Sequence, residues 1–503
     1  MRRLAVVLLF VSLPAFADIP SRPTLAFVLE AIRDRALNAY RMDTIALEGL
    51  NGLATIDPAF DAAKTAENRV QLHYRGHDLA SFAIPMANDP AGWAQLLENA
   101  AREAAHASPA IGKADGDQLT EAIADGFLSR LDIFSHYAGP KEAMERRASR
   151  NGFGGIGVRY DSGPEFVTLT EVMPESPAAQ ARLRVGDRIL AIDGVKLAGH
   201  DQAEITQMLR GPVASPIKLT IQRDNLTLTL RRSLIVPPTV SVTLQDGIAV
   251  IAVSGFNEET ADSVTDAVRK AKTIPNFKGI VLDLRGNPGG LLDQGIRIAD
   301  HFIPEGKILL TKGRHPGAAQ HKDAKSGDPG EGIPLVALVD GRTASAAEIL
   351  AADLQDSGRA VLVGSNSFGK GAIQTVLDLP NDGEMTLTWS RFYAPSGYAL
   401  HGLGVLPNIC TVPSKSKDDQ PLAGGRAAAA SFYAEWRSVG PDDMANRAKL
   451  RHHCPAGDHA DDRADLTIAK RLLNDHVLYA KALAVAAPIS QASSLKLPLP
   501  TVH

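Results

Sequence analysis

Cysteine is nearly absent: Cys410 and Cys454 are the only two in 503 residues. With His452, His453 and His459 nearby, Cys454 still matches no zinc-ligand spacing. Long apolar runs are missing beyond the N-terminus, where no segment reaches the 18 residues that a membrane helix needs. A dominant charge is missing too. The net charge is −4, without a basic stripe, aromatic-basic interleaving or an acidic tail, which argues against a nucleic-acid partner. HExxH does not occur, which removes that pattern of metal-dependent hydrolysis. Nothing implies a cofactor or a bound metal.

What is present is ordinary globular composition, with 45% hydrophobic and 22% charged residues. The length exceeds one core and implies two to four domains. Residues 1–17, "MRRLAVVLLFVSLPAFA", combine Arg2 and Arg3, an apolar run from Leu4 to Leu13 and a small-residue end. They read as a signal peptide cut before Asp18, too short to span a bilayer. The mature chain is expected to be soluble and exported, periplasmic in the simplest case. Outside the cytoplasm, Cys410 and Cys454 point to a disulfide, with two unpaired thiols as the alternative.

Residues 18–148 read as mainly helical, with apolar residues near a 3.6 period at Leu25, Val28, Leu29 and Ile32, and at Leu119, Ile123 and Phe127. Short strands interrupt them at "VQLHYRG" and "SFAIP". Residues 150–235 switch to short strands with one or two helices, a small β-rich module. Residues 236–413 alternate strand and helix, implying a mostly parallel sheet. Residues 414–503 are Ala-rich and helical in character, with no chemical motif.

In the β-rich module, "GFGGIGVRY" places Gly154, Gly155, Ile156 and Gly157 just ahead of a strand. Glycines there let successive N–H groups turn toward one anion, and the strand edge can pair with an extended peptide. With "GDRILAIDG" downstream, the module resembles a PDZ domain, which implies capture of a peptide C-terminus.

In "VALVDGRTASAAEILAADLQDSG" an apolar strand ends at Asp340-Gly341 and a helix opens on Ser345. A serine hydroxyl needs a base. No GxSxG surrounds it and no histidine sits in a recognisable partner motif. The candidate base is Lys370 in "SFGKGAIQT", flanked by Gly369 and Gly371, with burial lowering its pKa. Gln374 lies four residues on, an even spacing that shares one side of a strand. It could orient the lysine without adding charge. The Ala346 N–H opens the helix unpaired. Gly289 in "LDLRGNPGGLL" is a candidate second donor, and together they would hold an oxyanion.

These segments, with "LSRLDIFSHYAGPKE" and "YAPSGYALHGLGVLPNI", resemble the carboxy-terminal processing proteases, or tail-specific serine proteases, over about residues 115–412. The resemblance implies Ser345 as nucleophile, Lys370 as general base, Gln374 as its support, and Gly289 with Ala346 as the oxyanion hole. It implies a ClpP/crotonase-like α/β protease core with an inserted PDZ domain and helical N- and C-terminal segments. The expected activity is endopeptidase cleavage of proteins near apolar C-termini, with an adaptor or homo-oligomer as further partners. The rival is a catalytically inactive PDZ scaffold on the same fold.

Overall fold

A computed structural model describes residues 19–223, 226–325, 330, 332–412, 426–457 and 463–486. The expected signal peptide lies outside them. The chain divides into two compact units, one of Met1–Met144, Gly313–Ala318 and Ile373–Ser390, the other of Glu145–Lys312, Ala319–Ala372 and Arg391–His503.

In the first unit, helices Arg22–Arg35, Met42–Gly52, Pro90–Ala107 and Gly116–Ser129 surround a core that includes Leu25, Leu29, Ile45, Trp93, Ile123 and Phe127. Asp115 caps the last of them in a reciprocal pair with Gln118. The sheet here has three antiparallel strands, Phe60–Lys64, Arg69–Tyr74 and His77–Ala83. The first of these is invisible to propensity: "FDAAK" carries Asp and Ala. It is a strand because Phe60 and Ala62 alternate inward while its backbone pairs with the next strand. A later hairpin contributes 373–390, and there Glu384, Met385 and Thr386 pair with His136–Ala138.

The second unit holds the β-rich module and the α/β core. The module's sheet runs Leu226–Arg231, Pro216–Ile221, Arg188–Ile192, Val167–Val172, Val158–Ser162, so the last strand is an edge. Helix Gln202–Leu209 packs Ile205 and Leu209 onto a core with Ile189, Ile217 and Leu219. Phe153–Gly155 pairs antiparallel with Ser233–Ile235, which brings the module's entry and exit together.

The core sheet has the order Val240–Gln245, Ile248–Val253, Gly279–Asp283, Leu335–Val339, Val361–Gly364, Ile409–Cys410. Only the first pair is antiparallel. Strands such as "LVALV" and "VLVG" are wholly buried, as a parallel sheet covered on both faces requires. Helices Thr260–Ala271, Leu292–Phe302 and Ala346–Asp356 follow successive strands. One face is covered by the C-terminal helices Arg463–Asn474 and His476–Ala486 through Ala469, Leu472, Leu473, Tyr479 and Leu483. Buried Asp465 meets Arg285 at 3.4 Å, and Tyr479 Oη exchanges bonds with the main chain of Leu335. The C-terminal region is therefore part of the core. Among the described residues, no helix is long and apolar enough to cross a membrane.

Candidate active site

Ser345 stands between the strand Leu335–Val339 and the helix Ala346–Asp356, with φ 56° and ψ −123°. L residues rarely adopt positive φ, and holding one there costs about 1–3 kcal/mol. The surrounding bonds impose it. Fully buried Asp340 accepts at Oδ1 from the N–H groups of Gly286 (2.9 Å), Arg342 (3.0 Å) and Thr343 (2.9 Å). The Ala344 N–H donates to Asn287 O at 2.9 Å. The result is a strained strand-to-helix turn of the kind that exposes a nucleophile, built without the GxSxG glycines.

Glu348, one turn into this helix, is fully buried. Its Oε2 accepts from the Ser345 N–H at 2.9 Å and from the Lys370 N–H at 2.8 Å. Its Oε1 accepts from the Gly369 N–H at 2.7 Å and from Ser367 Oγ at 2.5 Å. One carboxyl group thus ties the serine turn to the lysine loop, with both main chains resting on a single oxygen. Burial pushes the Glu348 carboxyl above its ordinary range, against these four hydrogen bonds that favour the ionised form. Sequence reasoning did not single out Glu348. The signal was available: Ser345-Ala-Ala-Glu348 has the spacing of a capping box, in which the glutamate side chain reaches back to accept from the N–H of the capping serine.

The Ala346 N–H has no acceptor among the described residues and lies at the positive end of its helix. Gly289 faces it with φ +102°. A Cβ at 289 would sit 2.9 Å from Ser345 Cβ and 3.2 Å from the Ala346 nitrogen. Only glycine leaves that space open. The Gly289 N–H itself is engaged, donating to Asn287 Oδ1 at 2.8 Å. Asn287 is buried and anchored by its Nδ2 on Val253 O.

Lys370 is half-buried on the loop that leaves the strand Val361–Gly364. The room at Gly371 serves the His401 main chain, whose nitrogen lies 2.2 Å from where a Cβ would be. Gln374 falls in the strand Ala372–Asp378, within the first compact unit. There its Nε2 donates to Thr388 Oγ1 at 3.2 Å, and that hydroxyl donates to Asp132.

In the β-rich module, Gly155, Ile156 and Gly157 line a cavity of about 380 Å³ with Val158, Tyr160 and Arg210. Gly154 does not line it. Its Cα faces Gly211, whose carbonyl oxygen lies 2.0 Å from a would-be Cβ, so a side chain has no room there. Tyr160 Oη bonds Thr206 at 2.7 Å across the groove, and Arg210 stacks 4.2 Å from the Phe153 ring centroid. Another cavity, about 830 Å³, opens in the first unit between Glu48, Lys113, Glu121 and Asp125, and contains none of the residues expected to do chemistry.

Cys410 and Cys454 are joined by a disulfide. His453 packs edge-on against Phe432 at 4.7 Å, and His459 lies outside the described residues. Among the described residues no cluster of three His, Cys, Asp or Glu could hold a metal ion.

The family model for peptidase family S41 matches residues 247–411, and one for a PDZ domain matches 168–223. A carboxy-terminal-processing protease of Bartonella bacilliformis is 36% identical over 314 residues, covering 60% of this chain and 72% of its own. A probable CtpA-like serine protease of Staphylococcus aureus is 32% identical over 308 residues, covering 59% of this chain and 61% of its own. A solved photosystem II D1 C-terminal processing protease is 24% identical, covers 73% of this chain and 92% of its own, and superposes with a TM-score of 0.36, too loose to transfer geometry.

Proposed function

Because the chain belongs to peptidase family S41 and to its carboxy-terminal-processing serine proteases, we propose that it is an exported endopeptidase that cuts proteins near apolar C-termini with a serine-lysine dyad. Ser345 Oγ attacks the scissile carbonyl, and Lys370 takes the hydroxyl proton and returns it to the leaving amine. Gln374 is the residue we assign to orient the lysine, from its place four residues along the chain. The developing oxyanion meets the Ala346 N–H, with Gly289 as second donor once its N–H leaves Asn287 Oδ1.

The observation that carries this reading is the shared carboxyl oxygen of Glu348, which takes both the Ser345 and Lys370 N–H groups. The strained serine turn and the lysine loop also meet directly, where the Phe368 N–H donates to Thr343 O at 3.0 Å, and Glu348 adds a side-chain tie to both. A buried group that fixes both is what a two-residue catalytic unit requires.

Substrate selection is assigned to the module at 150–235. Its edge strand Val158–Ser162 has a free side for strand addition, and the Gly155–Gly157 turn opens on the same cavity. We assign the core to the ClpP/crotonase-like class, supported by the parallel strand order with helical crossovers. Export is supported by residues 1–17 and by the disulfide, which suits an oxidising compartment.

The test is incubation of the wild type, Ser345→Ala and Lys370→Ala with a protein bearing an apolar C-terminus, with cut sites located by mass spectrometry. Cleavage near the C-terminus by the wild type alone supports the reading. Equal turnover by Ser345→Ala refutes it.

A further inference from the structure

The helix Met444–Arg451 and the segment after it touch both halves of the candidate site. Arg451 Nη1 donates to Leu403 O at 2.6 Å and Nη2 to Ser367 O at 3.0 Å. The guanidinium fills the room left by two glycines: a Cβ at Gly369 would lie 3.1 Å from Nη1, and one at Gly404 2.8 Å. The glycine before Lys370 is therefore a seat for an arginine. One helical turn earlier, fully buried Arg447 donates to Ala399 O and His401 O, the stretch that packs on Gly371. On the other side, Gly457 O accepts from the Gly341 N–H at 2.7 Å and from Ser365 Oγ at 3.1 Å. Gly341 belongs to the serine turn; Ser365 and Ser367 belong to the lysine loop.

Between Arg451 and Gly457 stands Cys454, bonded to Cys410 on the last strand of the core sheet. That strand pairs Cys410 with Gly364, the residue where the lysine loop begins. The disulfide thus pins the segment midway between its two sets of contacts. Cys454 is buried, whereas Cys410 is only partly buried.

We propose that Arg451 is a positioning residue for the lysine loop, and that the Cys410–Cys454 bond holds it in place, so that the enzyme works fully only when oxidised. The proposal rests on the serine-lysine reading above. An external dithiol supplies two electrons and two protons. The Cys410–Cys454 bond breaks to two thiols, and the dithiol closes into its own disulfide. The freed segment then loses its anchor, and the carbonyls of Ser367 and Leu403 lose a bidentate cationic partner. Arginine is specific here because its planar fork serves two carbonyls at once, which a lysine ammonium does not reproduce.

The experiment uses the full chain. Peptide hydrolysis is measured for the wild type with and without dithiothreitol, and for Arg451→Gln, Arg451→Lys and the double variant Cys410→Ser/Cys454→Ser. Amide hydrogen exchange of 365–371 is followed in parallel, a readout that does not depend on activity. Reduction is expected to lower kcat about 10- to 100-fold with KM retained, the scale of a small misplacement of a catalytic group. Exchange at 365–371 is expected to rise in the same samples, and Arg451→Gln to mimic reduction, with Arg451→Lys recovering only part. Should the double serine variant not fold, reduction of the folded wild type and Arg451→Gln decide the matter. Equal kcat and equal exchange at 365–371 in oxidised and reduced wild type overturn the proposal. An oxidised wild type no more active than Ser345→Ala overturns the serine-lysine reading instead, while the exchange data still judge the brace.

Discussion

Replacing Glu348 with Gln keeps the shape of the side chain and changes one acceptor into a donor. The consequence depends on which way the amide turns. With its NH2 toward the Ser345 and Lys370 N–H groups, two main-chain donors face a third. Turned toward Ser367 and Gly369, it faces one hydroxyl and one N–H. Ser367 Oγ, which already accepts from the Val405 N–H, can accept from the amide only by turning its own proton away, so the Gly369 N–H and that proton both lose their acceptor. The second orientation is still the cheaper, and each buried unsatisfied donor costs about 1–3 kcal/mol. Part of that loss falls on the residue immediately before Lys370, where a displacement of the order of 1 Å costs about 100-fold in rate. Glu348→Gln is therefore expected to fold, to unfold at lower urea with an unchanged slope, and to lose kcat far more than KM. Glu348→Ala strips the acceptor from all four donors. The summed cost approaches the net stability of a typical domain, about 5–15 kcal/mol, and this variant is expected not to accumulate as folded protein. Urea unfolding followed by circular dichroism, with steady-state hydrolysis of a peptide, measures both. A Glu348→Gln enzyme with the wild-type urea midpoint and the wild-type kcat would refute the reasoning.

Gly289→Ala places a methyl group 3.2 Å from the Ala346 nitrogen at a φ of +102°. It is expected to cut kcat by about 100-fold or more through loss of an oxyanion donor, with circular dichroism reporting an intact fold. Asp353 is fully buried, neither carboxyl oxygen has a hydrogen-bond partner among the described residues, and burial holds its pKa well above the ordinary carboxylate value. The unfolded chain loses that proton near pH 4 while the native chain keeps it, so stability falls as pH rises above that point. Asp353→Asn is neutral in both states and should flatten the dependence of thermal midpoint on pH between about 5 and 8, which scanning calorimetry will read; an unchanged slope refutes the assignment. Excising the module between the paired strands Phe153–Gly155 and Ser233–Ile235, which end side by side, should leave the core folded. The shortened enzyme should cut free-carboxylate and amidated peptides equally, while the full chain prefers the free carboxylate; a retained preference would show that the module does not choose the substrate.

Local chemistry is written along the chain, and much here was legible from it. The strand-to-helix punctuation around Asp340 and Ser345, the glycine-flanked Lys370 and the unbroken apolar strands all follow from short-range rules. A buried parallel strand must be apolar on both faces, and a helix start leaves its first N–H groups open. Even Glu348 was implied as a cap by its spacing from Ser345. What spacing cannot state is which distant group meets a given side chain. Glu348 reaches Ser367, Gly369 and Lys370 because the strands Leu335–Val339 and Val361–Gly364 are neighbours in the sheet, a fact of topology. The same holds for Gly154, which packs on Gly211, and for Arg451, which seats on Gly369 and Gly404. The residue types at the site and the elements that carry them could be read along the chain, because propensity, patterning and capping act over a few residues. That a C-terminal arginine and a helix-cap glutamate converge on one loop is a property of the fold, because hydrogen bonds between remote segments exist only after burial has brought them together.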